Sequence, residues 1–466
     1  MRVVMKFGGT SIDSPEKLVN LANLIVNYKQ KRKDNQIVAV VSAVRGFTDN
    51  ILTLANSIKQ GETVSVEDFV TKTREIHLTM IENSIIDPKL RRESQNVIIK
   101  TLNELHDVLS GIVILSEVTP KSLDYLLSFG ERLSTPIVSF VLRDKGLSSE
   151  YLTGKEAGIL TDSNFGNARP LMDTTKLRVQ HRIEPLLKHD VVPVVTGFIG
   201  ADQNGNITTI GRGGSDYTAT IVAASINADE TWLWTDVDGL MTADPKIVRE
   251  AQVLKEVSFA EAMEMALFGV KYMHPRALEP VIDTKIPIRI RNIMNVENSG
   301  TIISQNPGQE SQRIVKSVSA IRHTGLIDVS GTAMAGAPGT AAKIFELLAK
   351  KNVNIIMISQ SPSESSISMV LRKDDIDKAT TTLELNLLGK VIKKVEVSNN
   401  VAVIAVVGSG MRGIKGVAAK IFNAVAKMDV NVIMIAQGSS QLNLAFVVDD
   451  NDCESAVRAL HKEFNL

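Results

Sequence analysis

The sequence predicts an α/β protein with a largely parallel sheet sandwiched by helices, followed by two smaller α+β modules. Two observations predict this. Over the first 300 or so residues, short β-branched runs alternate with helical patterns, which is typical of a sheet covered by helices. Beyond them, residues 331–345 and 353–360 recur at 408–422 and 430–437, an offset of 77 residues in both cases. Such a match indicates a duplicated module.

The predicted elements follow in chain order. The segment 36–42 is a near-continuous apolar run, typical of a buried parallel strand, and residues 50–110 have helical spacing. The polar segment 304–312 is the best linker candidate. Strands are predicted at 2–6, 36–42, 191–196, 231–235 and 288–292, the last as the closing strand, and helices at 16–33, 123–143 (interrupted in register at Gly130), 215–227 and 258–268. The predicted domains are a catalytic domain over 1–303 and modules over 313–395 and 396–466.

Charge, cysteine content and hydropathy exclude several classes of protein. The chain has 466 residues, and its 52 Lys and Arg balance 52 Asp and Glu, so no net basic charge favours nucleic acid. Cys453 is the single cysteine, and the seven histidines are scattered, so we expect no disulfide within the chain and no protein-held metal. The longest apolar run, 401–407, is too short to span a membrane. We therefore expect a cytoplasmic protein.

Two glycine-rich motifs stand between a predicted strand and a predicted helix. In KFGGTS at 6–11, turn N–H groups and Lys6 can bind a phosphate; the alternative is a tight turn with a solvated lysine. The second motif, TTIGRGGSD at 208–216, combines three glycines with Arg212, which suits a carboxylate. Asp216 could instead be only a helix cap. Neither motif is a P-loop.

Three other segments are weaker signals when each is taken alone. WTDVDG at 234–239, with TADPK at 242–246, follows a strand but could be an ordinary turn. SFGERLS at 128–134 could be a solvated acid–base pair on a helix, and SAVRGFT at 42–48 follows the second strand. GSGMRG at 408–413 matches a dinucleotide fingerprint, but its repeat lacks the middle glycine. We interpret it as the glycine turn of the module.

Together these motifs resemble the aspartate kinase family, which has the amino acid kinase fold. KFGGTS, GERLS at 130–134, GRGGSD at 211–216, the pair 235–236 and FGVKYMHP at 268–275 occur in the family's order. The repeated modules are similar to the family's tandem ACT domains. The resemblance implies transfer of the γ-phosphoryl group of ATP, with Mg²⁺ carried by its phosphates, to the β-carboxylate of L-aspartate. The resemblance further implies that this is the first step of the lysine, threonine and methionine pathway and that an end product regulates it.

The resemblance also implies roles for individual residues. Lys6, Arg212 and Asp216 would be catalytic, with Arg212 on the substrate α-carboxylate and Glu131 on its α-ammonium group. Further substrate contacts would come from Ser42, Thr48 and Ser215. ATP would be held by Lys6, Gly8, Gly9, Thr235, Asp236, Met241, Asp244, Lys246 and Lys271. The effector, threonine or lysine, would contact Met334, Gly336, Pro338, Gly339, Asn354, Ile355 and Gln360.

Two alternatives stay open at this point. The first is a related kinase acting on glutamate, acetylglutamate, carbamate or a nucleoside monophosphate, although Glu131 favours a substrate with a free α-amino group. The second is an amino acid sensor whose kinase half is silent. Exposed strands in the modules could pair between chains, so we expect a homodimer or a dimer of dimers.

Overall fold

The computed structural model describes residues 1–32, 34–269, 273–308 and 313–466. It divides into two compact units. The first contains Met1–Leu240, Lys255–Phe259 and 273–307, and the second contains Met241–Leu254, 260–269 and the chain after Pro307. Two segments from within the predicted catalytic domain 1–303 therefore pack in the second unit. No described helix has the length and apolar character needed to cross a membrane.

The first unit is built on a sheet of eight strands. The strands of this sheet are β1 Arg2–Phe7, β2 Gln36–Val41, β3 Ser149–Leu152, β4 Val192–Thr196, β7 Glu230–Thr235, β8 Glu256–Ser258, β9 Ile288–Asn292 and β10 Thr301–Ser304. Two further strands, β5 Ile199–Ala201 and β6 Ile207–Thr209, form a separate two-stranded hairpin. The order is β3-β4-β2-β1-β7-β9-β10-β8. The first six are parallel, and β10 runs antiparallel to β9. The predicted fold class is confirmed.

Helices cover this sheet because its central strands are apolar on both faces, as the continuous runs of β1 and β2 predict. One large buried cluster joins β1 and β2 to helices in the N-terminal half of the chain. The helices are α1 Pro15–Lys31, α2 Phe47–Lys59, α3 Val66–Ser84, α4 Pro88–Leu115, α5 Pro120–Asp144, α6 Gly154–Ala157, α7 Met172–Lys188, α8 Gly214–Ser225, α9 Phe259–Leu267 and α10 Glu279–Thr284. From Ala260 onward, α9 belongs to the second unit.

Two details of the prediction are wrong. The strand at 288–292 does not close the sheet, because β10 and β8 lie beyond it. These strands have only four and three residues, too few for a periodic signal. The helix α5 also continues without interruption through Gly130, where the absence of a side chain serves a close contact described below.

The second unit contains a six-stranded antiparallel sheet in the order β12-β13-β11-β14-β16-β15. It follows the predicted pattern of strand, glycine turn, helix and two further strands in each repeat. Its elements are β11 Ser317–Ser330, α11 Thr340–Lys350, β12 Ile355–Gln360, β13 Ser366–Arg372, α12 Ile376–Leu387, β14 Lys394–Val407, α13 Val417–Ala426, β15 Met434–Ala436, β16 Asn443–Asp449 and α14 Cys453–Glu463.

The two modules share their long strands. Strands β11 and β14 have 14 residues each and pair along their whole length, with a register shift after Ile321. Val315 and Val318 pack in the core formed with α13, α14 and β16, whereas Ile327 and Val329 pack in the core formed with α11 and α12. The boundaries predicted at 313–395 and 396–466 do not follow this packing, because each long strand contributes to both cores.

Burial repeats with the same period as the sequence. Met334 and Met411 are both core residues, and Ile344 and Ile421 are both fully buried. The glycine turns differ in one respect. A Cβ on Gly410 would lie 2.5 Å from the Arg313 carbonyl oxygen, so the middle glycine of GSGMRG permits backbone packing. This agrees with its interpretation as a module turn.

Candidate active site

The candidate site lies where the parallel strands of the first unit end. Strands β1, β2, β4 and β7 are neighbours in one sheet, and each runs into a glycine or polar residue at its carboxyl end. Strand β1 lies between β2, the next strand in the chain, and β7, which comes much later in the chain. The strand order therefore reverses at β1, and this makes a topological switch point. Open α/β sheets bind ligands at such points.

The turn after β1 requires glycine. The Gly8 N–H donates to the Trp234 carbonyl oxygen at 3.4 Å, which ties the turn to the end of β7. A Cβ on Gly9 would lie 2.7 Å from the Ala43 carbonyl oxygen, in the turn after β2. The three strand ends are therefore held close together, and larger residues at position 9 are excluded.

Lys6 is not a solvated lysine. Its Nζ lies 2.6 Å from Oδ1 of Asp216, and both side chains are more than four-fifths buried. Asp216 sits in the first turn of α8, whose N-cap residue is Gly213 in the left-handed region at φ 71°. Asp216 thus pairs with a cation from the other glycine motif, which a purely capping role would not require.

Close packing brings the start of α8 to this edge of the sheet. A Cβ on Gly197, which follows β4, would lie 2.5 Å from Oγ of Ser215. Ser215 is half-buried there, and Arg212 in the preceding turn is exposed. Across the described part of the chain, the structure records neither a hydrogen bond nor an ion pair for the Arg212 guanidinium group, so it is free to take an anionic ligand.

Glu131 contributes a buried carboxylate. Gly130 lets α5 approach the turn after β2, because a Cβ there would lie 2.5 Å from Cβ of Ala43. Glu131 is 3% exposed. Burial raises the pKa of Glu131 to about 8. A hydrogen bond from the Ala43 backbone has the opposite effect on this pKa but does not outweigh burial. Its Oε2 atom is buried and has no partner among the described residues.

The solvated-pair interpretation of this helix is wrong. Arg132 does not pair with Glu131; its Nη2 lies 2.6 Å from Oε2 of Glu104, and its guanidinium carbon lies 4.5 Å from the Phe129 ring centroid. A buried carboxylate without a cation is costly. The raised pKa of Glu131 is the expected consequence, since burial disfavours its charged form.

The other predicted substrate residues lie in the turn after β2. The Ser42 N–H donates to the Phe7 carbonyl oxygen at 3.1 Å, and the Ser42 carbonyl oxygen accepts from Oγ of Ser134 at 2.7 Å. Thr48, in the first turn of α2, is half-buried. The structure thus places Ser42 and Thr48 in the segment that contacts both Gly9 and Gly130.

The predicted nucleotide residues fall in two places. Thr235 ends β7, and its Oγ1 donates to Oδ1 of Asp236 at 3.2 Å. Met241, Asp244 and Lys246 belong to the second unit, where the Lys246 N–H donates to Oδ1 of Asp244 at 2.9 Å. Lys271 lies outside the described residues.

Sequence reasoning missed three residues that support the segments around the GRGGSD turn, namely Asp124, Asn167 and Arg276. Oδ2 of Asp124 accepts from the N–H groups of Gly166 and Thr209, at 2.9 and 2.8 Å. Arg276 donates to Oδ1 of Asn167 at 2.7 Å. Burial raises the pKa of Asp124, while its hydrogen bonds lower it. The partners are far apart in the chain, so no spacing could have indicated them.

The predicted effector residues lie in the glycine turn of the first module and at or next to β12. Met334 is 2% exposed and belongs to the module core, so its side chain is not at the surface of the turn. The Gly336 N–H donates to Oε2 of Glu364 at 3.0 Å. Gly339 caps α11 at φ 87°. The remaining predicted contacts are half-buried at Ile355 and exposed at Pro338, Asn354 and Gln360.

This parallel sheet with its glycine turns, followed by the paired modules, defines an amino acid kinase with ACT domains. Residues 1–292 match the amino acid kinase family, and residues 327–387 and 404–464 match the ACT domain. Aspartokinase 1, chloroplastic, of Arabidopsis thaliana is 33% identical over 470 residues, covering 99% of this chain and 80% of that protein. The chain belongs to the aspartokinase family, as its motifs predict.

Two solved structures are similar along the whole chain. One is E. coli aspartokinase III in complex with aspartate and ADP, with a TM-score of 0.85 and 27% identity, covering 100% of both chains. The other is the same enzyme with lysine and aspartate, with a TM-score of 0.79 and 28% identity, covering 99% of both. The chain also spans about half the length of several curated relatives it matches.

Proposed function

We propose that this protein phosphorylates the β-carboxylate of L-aspartate with ATP, giving 4-phospho-L-aspartate and ADP. One observation carries the choice of substrate: Oε2 of Glu131 is buried without a described partner beside the turn after β2. A free α-ammonium group would supply the missing cation, whereas an acylated amine would not. The similar E. coli protein crystallised with aspartate and ADP supports the same substrate.

The proposed reaction needs positioning and charge neutralisation more than proton transfer. The substrate carboxylate, with an ordinary pKa of about 4, is already ionised at neutral pH. Its oxygen attacks the γ-phosphorus, the bond to the β,γ-bridging oxygen breaks, and ADP leaves with that electron pair. Lys6 neutralises charge on the transferring group, and Asp216 holds the lysine in place.

The remaining residues would bind the two substrates. Arg212 would clamp the α-carboxylate with two parallel hydrogen bonds, opposite Glu131 on the α-ammonium group. Ser42, Thr48 and Ser215 would orient the side chain of the substrate. Gly8 and Gly9 would line the ATP phosphates, with the Gly9 N–H as the donor because the Gly8 N–H already donates to the Trp234 carbonyl oxygen. The nucleotide would be held further by Thr235, Asp236, Met241, Asp244, Lys246 and Lys271.

Mg²⁺ would reach the site with ATP. The β1 turn offers an ammonium and backbone N–H groups, which fit phosphate oxygens, and the carboxylate beside them, Asp216, is already paired with Lys6. Mg²⁺ commonly binds through substrate phosphates and water. Among the residues that the structure describes, no cluster of three His, Cys, Asp or Glu side chains could hold a metal. The ion would add positive charge where negative charge develops on the phosphoryl group.

The test is trapping of the acyl phosphate with hydroxylamine, using Mg-ATP and a panel of acids. We expect hydroxamate with L-aspartate and none with L-glutamate, N-acetyl-L-glutamate or N-acetyl-L-aspartate. Signal with an N-acetylated acid would contradict the role of Glu131, and silence across the panel would favour a sensor with an inactive kinase half.

The proposal extends to regulation. The reaction would be the first step towards lysine, threonine and methionine, and lysine or threonine would bind at a module interface through the predicted residues of the first module. The E. coli structure with lysine supports an amino acid effector. We expect Asn354→Ala to weaken the heat of effector binding in calorimetry. The equivalent change one repeat later, Asn431→Ala, is the matched control. No heat with either amino acid would contradict the effector proposal.

Assembly and compartment remain predictions of the same kind. A homodimer or a dimer of dimers is expected, and light scattering of the purified protein at several concentrations would distinguish them. A cytoplasmic location is expected from the sequence, although the plant relative is named chloroplastic. Neither point affects the chemistry of the site.

A further inference from the structure

We propose that Arg276 is a positioning residue that fixes the Arg212 turn for capture of the substrate α-carboxylate. The inference rests on the proposed function for the identity of the substrate, but the contacts themselves belong to the fold. Arg276 lies in the short helical turn Pro275–Leu278, which packs against α8.

The guanidinium group of Arg276 bonds to the start of the turn and to a neighbouring loop. Its Nη1 donates to the carbonyl oxygen of Ile210 at 3.0 Å and to Oδ1 of Asn167 at 2.7 Å. Its Nη2 donates to the carbonyl oxygen of Ala168 at 3.4 Å. Ile210 is two residues before Arg212, so one planar group ties the start of the turn to a neighbouring loop.

The face of the same guanidinium group rests on α8. Its central carbon lies 4.9 Å from the ring centroid of Tyr217, the residue after Asp216. Tyr217 is 5% exposed, and its hydroxyl donates to Oε2 of Glu279 at 3.3 Å. A planar, delocalised cation can stack and donate several hydrogen bonds at once, which lysine cannot reproduce.

The turn itself leaves little room for other arrangements. A Cβ on Gly211 would lie 2.7 Å from Oδ1 of Asn167, and a Cβ on Gly213 would lie 2.3 Å from Cβ of His274. Asn167, which Arg276 holds by a hydrogen bond, and His274 thus press on the glycines on either side of Arg212. Arg212 itself is exposed, so its direction depends on how firmly this backbone is held.

Limited proteolysis tests the positioning without any assumption about substrate. Trypsin cleavage after Arg212 would be followed by mass spectrometry in the full-length wild type, Arg276→Gln and Arg276→Lys. We expect cleavage to be about tenfold faster in Arg276→Gln, because losing about 1.4 kcal/mol of local stability raises the open population by that factor. Arg276→Lys should fall between the two.

Arg143→Gln is the matched control. Its guanidinium carbon lies 4.9 Å from the Phe140 ring centroid and its Nε donates to the Ser149 carbonyl oxygen at 2.9 Å, on α5 and away from the turn. It should leave cleavage after Arg212 unchanged. Equal cleavage in wild type and Arg276→Gln, or an equal increase in Arg143→Gln, overturns the proposal.

Kinetics then separate a positioning role from general damage. In Arg276→Gln we expect the KM for L-aspartate to rise about tenfold, with the KM for ATP and kcat within about twofold. The preference for L-aspartate over its α-amide should fall as well, because Arg212 no longer meets the α-carboxylate in a fixed geometry. If wild type fails to phosphorylate aspartate, the proposed function fails, and the proteolysis still decides the role of Arg276.

Discussion

Nζ of Lys6 lies 2.6 Å from Oδ1 of Asp216 and joins the end of β1 to the first turn of α8. The two residues come from different glycine motifs, each of which has an ordinary structural interpretation when taken alone. Their contact at the carboxyl edge of a parallel sheet places a held ammonium beside backbone N–H groups at a switch point. That arrangement suits the stabilisation of a transferring phosphoryl group.

Replacing Lys6 with alanine should reduce kcat by about a hundredfold or more, since removing one donor to developing charge has an effect of that size. The hydroxamate assay would measure this, with circular dichroism as the check on folding. Lys29→Ala, which removes a lysine paired with Asp190, is the control and should leave kcat unchanged. Full activity in Lys6→Ala would contradict the assignment of the site.

Binding of L-aspartate should tighten as the pH rises towards 8. Burial raises the pKa of Glu131 to about 8, so the free protein holds this group mainly protonated at pH 6. Binding of an ammonium group requires the carboxylate, so affinity should gain up to about tenfold per pH unit below the pKa. Calorimetry between pH 6 and pH 9 would measure this, and Glu131→Gln should bind weakly with a flatter profile.

The same group should lower stability at alkaline pH. The folded pKa lies above the value of 4.5 that applies to an exposed glutamate, so the folded state binds the proton more tightly. Stability is therefore lost as the pH rises from 4.5 towards the folded pKa. Thermal unfolding should show Glu131→Gln gaining stability over wild type between pH 5 and pH 9. A constant difference across that range would contradict the buried carboxylate.

Gly130→Ala should destabilise the protein, although alanine favours helices. The new Cβ would lie 2.5 Å from Cβ of Ala43 and 2.9 Å from Cδ1 of Phe47, so α5 or the turn must move. Overpacking of this kind costs about 1–3 kcal/mol. Gly111→Ala on α4 meets nothing within 4 Å and should stabilise by about 0.5–1 kcal/mol. Urea unfolding of both variants would measure the contrast.

In the second unit, Glu261→Gln should cost about 3–5 kcal/mol of unfolding free energy, since it removes one charge of a buried ion pair. Nζ of Lys316 lies 2.7 Å from Oε2 of Glu261, and these side chains are 2% and 0% exposed. The glutamine still accepts from the Ser409 N–H, which donates to Oε1 of Glu261 at 2.9 Å. Adding Lys316→Met should restore more than half of the loss in urea unfolding.

Much of the fold could be predicted because its signals are local. Continuous apolar runs indicated β1, β2 and β7 to within a residue or two, and helical spacing indicated α1, α5 and α8. Prediction did not find α7, a helix of 17 residues, and it also missed short strands: β3 has four residues, and β5 and β6 have three each. Strands this short form because a neighbouring strand or loop stabilises them, and a periodic pattern in the sequence cannot show such a neighbour.

In the candidate site, too, local features could be predicted and contacts between distant residues could not. Its motifs could be found from the sequence because glycine and charged residues cluster within a few positions. The structure adds the reason for glycine at positions 9 and 130: a side chain at either position would clash with the turn after β2. Asp124 and Arg276 were missed because each acts on partners distant in the chain.

The sequence by itself determined the fold class, the duplicated modules and the residue types able to bind phosphate and carboxylate, because each depends on composition and period along the chain. Only the tertiary structure decided which of those residues meet. It pairs Lys6 with Asp216 and leaves Oε2 of Glu131 buried without a described partner. In the second unit, it lets each of the two long strands contribute residues to both module cores. The physical reason is that pairing, burial and the resulting pKa values depend on distances between residues that the order of the chain does not specify.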